Sequence, residues 1–176
     1  MVDPAIALRP WNPADAPALM EAIAESAGDL GPCSPWWHPK FDESDALAFI
    51  EGTIQARPKG EAHELAIIAG TGDGERILGS CGINEIKALH GVANMGYWVR
   101  SSETGKGIAS AVVRQLASWV FGNMDLNRLE LVIATGNPAS KGVAEKAGGN
   151  FEGLQRQRLL LHGTSHDALM YSICRD

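Results

Sequence analysis

Long apolar runs are missing from this chain. None approaches the roughly 20 residues that a membrane-spanning helix needs, so no membrane role is expected. Cysteine is scarce: Cys33, Cys81 and Cys174 are three in number, far apart, and form no C-x-x-C pair. That argues against a disulfide framework and fits free thiols in a reducing cytoplasm. Positive charge is in deficit, with 15 Lys and Arg against 21 Asp and Glu and a net charge of −6. Nucleic acid is therefore not the expected partner. The opening residues Met-Val-Asp-Pro-Ala-Ile show neither the basic nor the apolar region of a secretory leader, which again suggests the cytoplasm. His162 and His166 have i, i+4 spacing, but they fall in an expected hairpin and have no cysteine or carboxylate cluster beside them. No metal site is expected.

Glycine, by contrast, is plentiful, at 20 residues in 176. Two glycines bracket a lysine in Thr104-Gly105-Lys106-Gly107-Ile108-Ala109, between an apolar run and a helical one. A helix start exposes unpaired N–H groups at the positive end of the peptide dipoles. Glycines there let a phosphate approach the backbone closely.

The remaining punctuation outlines the elements. Ala5–Arg9 reads as a first strand. Asn12 or Asp15 caps a helix through about Ser26, and Asp42 or Ser44 starts a second that Pro58 and Gly60 end. Between them lies a Gly, Pro and Ser-rich loop carrying Trp36, Trp37 and His38. Strand-like runs follow at 64–69, 76–83 and 92–100, joined by turns short enough for an antiparallel meander. Ile108, Val112, Leu116 and Val120 recur every fourth residue up to Gly122-Asn123. A buried strand at 129–134, a helix opened by Pro138, and a hairpin around Gly163 close the chain. The order predicts an α/β fold in one domain spanning 1–176, with a mixed, largely antiparallel twisted sheet and helices on both faces.

Three readings compete for the glycine loop. Arg100 stands where a P-loop places its first glycine, and Gly107 follows Lys106 where that motif needs Ser or Thr, so the P-loop is rejected. A dinucleotide motif would end on Ser110 instead of Gly or Ala, and too little chain follows for several βα repeats. The third reading rests on a set of motifs in order: "GYWV", "GKGIAS", "LNRLEL", "ATGNPASKGVAEKAGG" and "FEGL". Together they resemble the GNAT superfamily of N-acetyltransferases, and within it the RimL-like branch that includes ribosomal-protein-serine acetyltransferases. Three positions depart from the pattern. Thr104 replaces Gln or Arg, Asn94 stands where a Glu is common, and Gly149 replaces an aromatic whose space Phe151 is expected to share.

The resemblance implies a GNAT fold, acetyl-CoA as co-substrate, and direct transfer to a primary amine without an acyl-enzyme. Its backbone contacts would come from Tyr97 to Arg100, Val99 and Arg100 above all, and from the loop Thr104, Gly105, Lys106, Gly107, Ile108 and Ala109. Asn137, otherwise a helix cap, would reach the pantetheine arm. Ser140 would stand near the coenzyme sulfur as proton donor, Glu85 is the candidate base, and a relay of water to solvent is the alternative. Trp36, Trp37 and His38 would line the acceptor site. The implied acceptor is a protein N-terminal amine, with a small-molecule amine such as an aminoglycoside or polyamine next. A non-catalytic acyl-CoA-binding module stays open, as does a homodimer.

Overall fold

The structure is a computed structural model that describes residues 6–70 and 72–175. Seven strands form one sheet in the order β1-β2-β3-β4-β5-β7-β6. They are β1 (Ile6–Pro10), β2 (His63–Ala69), β3 (Arg76–Lys87), β4 (Val92–Val99), β5 (Arg128–Ala134), β6 (Asn150–Leu161) and β7 (Thr164–Cys174). All neighbours are antiparallel except β4 and β5, which run parallel. A parallel pair needs a crossover, and the helix after the glycine loop supplies it. The mixed sheet expected from the sequence is therefore present. Ala5, expected in the first strand, lies outside the described residues.

Helices cover both faces. On one face lie α1 (Ala16–Glu25), the four-residue α2 (Ala27–Leu30) and α3 (Glu43–Ala56). Trp11, Leu19, Ile23, Ala46 and Ile50 pack there against Ala66, Ile68 and Ile77 of the sheet. On the other lie α4 (Ile108–Asn123) and α5 (Pro138–Lys146). Val112, Leu116 and Val120 of α4 meet Ile67, Ile83 and Leu129 there, all at 0–1% exposure. At that burial each large apolar side chain stabilises the fold by about 1.5–3 kcal/mol.

Local chemistry sets the boundaries. Asp42 caps α3 by accepting from the Ser44 and Asp45 amides, while the Asp45 side chain accepts from the Asp42 amide. That reciprocal pair is a capping box. Asn12 does the same for a turn of 3₁₀ helix at Pro13–Asp15, so the expected first helix enters through that turn. The closing hairpin turns on two residues, His162 and Gly163, with φ of 49° and 80°. Two successive positive φ values are what a two-residue type I′ turn requires. Strand β3 runs past its expected end at Ile83 to Lys87, because a bulge between Asn84 and Lys87 lets it stay paired with β4.

One feature of the sheet positions the candidate site. Strands β4 and β5 pair only at Val92–Asn94 with Arg128–Glu130. Past that point β5 pairs only with β7, and β4 only with β3. The two central strands thus part in a wedge that opens toward the glycine loop.

Candidate active site

The wedge leaves backbone unsatisfied. In a strand, the N–H and C=O groups of alternate residues face each edge. Those of Met95–Val99 that face β5 therefore meet no strand, in the middle of a sheet. An extended chain bearing amides could pair with them, as an added strand does.

At the open end of the wedge stands the loop 100–107. Gly105 and Gly107 have φ of 75° and 80°, in the left-handed region, and a Cβ at either would project into open space. Gly107 is the N-cap of α4 and offers no side-chain cap. Among the described residues, the amides of Gly105–Ala109 meet no acceptor, and residues 104–107 are exposed. A 16-residue helix thus aims uncapped amides at solvent, the arrangement that binds a phosphate group. Thr104 contributes less than its place in the motif suggests, because its Oγ1 donates to Ser101 O at 2.8 Å.

Arg100 does not face this site. Its side chain is 1% exposed and turns into the sheet and α1. Nε donates to Ile77 O at 2.6 Å, and the Nη atoms donate to Glu21 and Glu25 at 2.7–2.8 Å. Its amide is spent on Leu78 O. The bonds from the Ser102 side chain and from the Arg100 guanidinium hold the Glu25 carboxyl down to about 2. The Ser101 amide donates to Ser26 Oγ at 3.1 Å, the Ser102 amide to Glu25 at 3.1 Å, and Ser101 Oγ to Asp29. Arg100 is therefore an anchor that ties the loop to α1, not a group open to a ligand. Lys106 is exposed and paired with Glu103 at 2.9 Å.

Across the wedge, Asn137 caps α5 by accepting from the Ser140 amide at 2.9 Å. Among the described residues its side-chain NH₂ meets no acceptor. The Ser140 hydroxyl lies 2.9 Å from the Tyr97 hydroxyl of β4, which also donates to Ser140 O at 3.1 Å. Burial pushes the Tyr97 phenol up to about 12, against the smaller opposing effect of its bond to Ser140. Tyr97 thus stays a neutral donor across the working pH range. The sequence brings Tyr97 here by its backbone and not by its hydroxyl; the signal for the hydroxyl was the alternation in "GYWV", which puts Tyr97 and Trp98 on opposite faces. Tyr171 is elsewhere, donating to Glu145 at 3.1 Å. Val99 lies at the end of β4, half-buried, with its β5-facing edge open.

Glu85 falls inside the β3 bulge with φ of 48°, exposed and without an ion pair among the described residues. The bulge turns it to solvent, so the structure does not bring it to the Ser140–Tyr97 pair. A different carboxylate is drawn into the sheet. Glu64 of β2 accepts from Asn84 Nδ2 at 3.0 Å, and Asn84 Oδ1 accepts from Asn94 Nδ2 at 2.8 Å. Burial raises the Glu64 carboxyl above its ordinary value, with Asn84 opposing weakly.

The aromatic loop separates into three fates. Trp36 is 44% exposed and sits 6.0 Å from the Phe41 ring and 6.4 Å from Trp98 on β4. Trp37 packs against the α1–α3 core and touches Gly31. His38 lies 3.3 Å from Asp45 at the start of α3. Trp36 is the one of the three whose ring rests against β4, at Trp98, while His38 is exposed beside Phe41. Nearby, His162 at the hairpin tip contacts Gly31 O at 2.6 Å and links β6–β7 to α2. Phe151 does not fill the place expected near Gly149; it is 57% exposed and packs on Tyr171 at 5.3 Å.

Comparison with known proteins agrees with this geometry. The family model described as an acetyltransferase (GNAT) domain matches residues 6–150. YdaF of Bacillus subtilis (strain 168), a ribosomal N-acetyltransferase by provisional name, is 30% identical over 170 residues, covering 97% of this chain and 91% of the relative. The ribosomal-protein-serine acetyltransferase of Escherichia coli (strain K12) is 26% identical, covering 76% of this chain and 74% of that protein. Among solved structures, Mycobacterium smegmatis RimJ in complex with CoA-disulfide superposes with a TM-score of 0.86 at 26% identity, over 96% of this chain and 81% of that one.

Proposed function

This chain belongs to the GNAT acetyltransferase family, and on that premise we propose that it acetylates the N-terminal amine of a protein, a ribosomal protein first among the candidates. The family supplies the donor, acetyl-CoA. The acceptor reading draws on the names of the two relatives, which act on ribosomal proteins by those names. Such an acceptor implies a cytoplasmic reaction. Among the described residues, no helix is long and apolar enough to cross a membrane.

The observation that carries the reading is the wedge, with free amides at its mouth and a hydroxyl pair across it. These residues fit coenzyme A. The amides of Gly105–Ala109 would hold the diphosphate, and the open edge of Met95–Val99 would pair with the amides of the pantetheine arm. Asn137 Nδ2 would add a donor to that arm. Acetyl-CoA supplies an activated thioester whose sulfur leaves as a thiolate. The Ser140 hydroxyl, backed by Tyr97, donates a proton or a hydrogen bond to that sulfur. A thiolate with a pKa of roughly 8.5 needs only this modest help at neutral pH.

The test is thiol release from acetyl-CoA with three acceptors in parallel: a peptide with a free N-terminal serine, an aminoglycoside and a polyamine. We expect release with the peptide, and mass spectrometry should locate the acetyl group on its α-nitrogen. Turnover with a small amine alone would move the acceptor class. Tight acetyl-CoA binding with no release in any arm would mean a binding module.

A further inference from the structure

Three strands place a carboxylate beside the wedge. The sheet register sets Glu64 of β2 opposite Gly82 of β3, and Gly82 opposite Gly96 of β4. Directly opposed residues project to the same face, so this row runs from a carboxylate across two positions without side chains. The Glu64 side chain uses the space: a Cβ on Gly82 would collide with its carboxylate and its Cα. A Cβ on Gly96 would meet nothing within 4 Å. Strands lie about 4.8 Å apart, so a side chain that spans the first interval stops about one hydrogen bond, or one water, short of Gly96. Gly96 is just past the last rung that joins β4 to β5, at the apex of the wedge. The next row on this face ends in Trp98, against which Trp36 rests.

The carboxylate is held but not neutralised. Asn84 donates to Oε1, and among the described residues no donor reaches Oε2. Glu64 is half-buried, so the carboxylate is not sealed from solvent. Glu64 takes part in no ion pair among those of the described residues. Arg57 donates to the Glu64 carbonyl oxygen, not to its carboxylate. Cys81, on the opposite face of β3, has its thiol pushed up by burial and by Glu64. His63, beside Glu64 in sequence, has its imidazole lowered by burial and by Arg57. A carboxylate drawn out of water without a cation costs stability, and such groups in clefts are candidates for proton transfer.

We propose that Glu64 is the group that takes the proton from the acceptor amine, above Gly96, directly or through one water. This rests on the acetyl-transfer reading above. The amine nitrogen forms a bond to the acetyl carbon as the carbon–sulfur bond breaks. The nitrogen loses one proton to Glu64, and the departing sulfur gains one delivered by the Ser140 hydroxyl. Glu64 then releases its proton to solvent, from which the hydroxyl pair is resupplied. The two proton movements occur on opposite faces of the sheet, with Glu64 on the α1–α3 face and Tyr97 and Ser140 on the α4–α5 face.

Glu64→Gln tests this with little change of shape, because Gln Oε1 still accepts from Asn84. We expect kcat with acetyl-CoA and an N-terminal serine peptide to fall about 100- to 10,000-fold. Calorimetric acetyl-CoA affinity should be unchanged. The acidic limb of the kcat/KM profile, which belongs to a carboxyl raised above its ordinary value, should disappear. The melting temperature gives an independent sign. A folded-state carboxyl pKa above the unfolded value makes stability fall as pH rises through that interval. At neutral pH the variant should therefore melt no lower than wild type. Glu64→Ala should be inactive and regain turnover with added formate. Undiminished kcat in Glu64→Gln, or a joint loss of stability and acetyl-CoA binding, would refute the assignment while leaving acetyl transfer intact. A wild type that releases no thiol with any amine would refute the acetyl-transfer reading and Glu64 with it.

Discussion

Ser140 is bound at both ends: its amide to the Asn137 cap, its hydroxyl to Tyr97. A cap alone would explain the first contact and not the second. Replacing Ser140 by Ala keeps the amide and therefore the cap. We expect Ser140→Ala to lower kcat by roughly 100-fold and to leave acetyl-CoA affinity nearly unchanged. Tyr97→Phe should cost less, because it removes the partner of the donor and not the donor. If the two hydroxyls act as one relay, the double variant will be no slower than Ser140→Ala; steady-state kinetics on the three variants measures that coupling. Two independent contributions would instead multiply.

At the scale of elements, the glycine loop is rigid for a reason that lies outside it. Arg100, Ser101 and Ser102 tie it to α1, and Glu103 joins Arg76 to Lys106. Gly107→Val would force a β-branched residue to φ of 80° and should weaken acetyl-CoA binding severely. Lys106→Ala should weaken it only mildly if, as proposed, backbone amides make the main contact. Calorimetry on the pair distinguishes an amide site from a lysine site. The anchor has its own pH signature. Glu25 has a folded-state pKa of about 2 against an ordinary 4.5. A depressed carboxyl stabilises the fold above its unfolded pKa and loses that contribution as pH falls through the folded one. Between pH 4.5 and about 2 the wild type should thus lose melting temperature more steeply than Arg100→Ala. At neutral pH Arg100→Ala should already melt several degrees lower. Parallel slopes for the two proteins would remove the anchor.

The whole molecule brings the surface proposed for the acceptor together from distant parts of the chain: the loop with Trp36, strand β4 with Trp98, and the β6–β7 hairpin through His162 and Gly31. Adjacent tryptophans here should behave as opposites. Trp36→Ala should raise the acceptor KM with little effect on acetyl-CoA affinity or melting temperature. Trp37→Ala should chiefly destabilise, because its ring packs on the α1–α3 core. Kinetics and thermal melts on both variants check the division. Equal behaviour would mean the loop acts as one hydrophobic plug.

What the sequence determined by itself was local. Periodicity marks α4, capping residues mark the start of α3, and the turn at Gly163 marks the last hairpin. The glycine loop is legible because it is contiguous: the proposed anion site is built from neighbouring amides, and spacing alone describes it. Its side chains were less legible. Arg100 reads as a backbone contact in the motif, and nothing local reveals that its side chain is held by Glu21 and Glu25, 79 and 75 residues away. The same holds for Tyr97 and Ser140, 43 residues apart, which meet only because β4 and β5 separate after three rungs. Glu85 follows a strand by sequence, but whether it points inward depends on a bulge, and a one-residue shift in register reverses every facing. Glu64 interrupts the run "HELAIIA" with a charge, a signal visible in one dimension. Its approach to Gly96 needed three strands in register, and only the assembled sheet supplies that alignment.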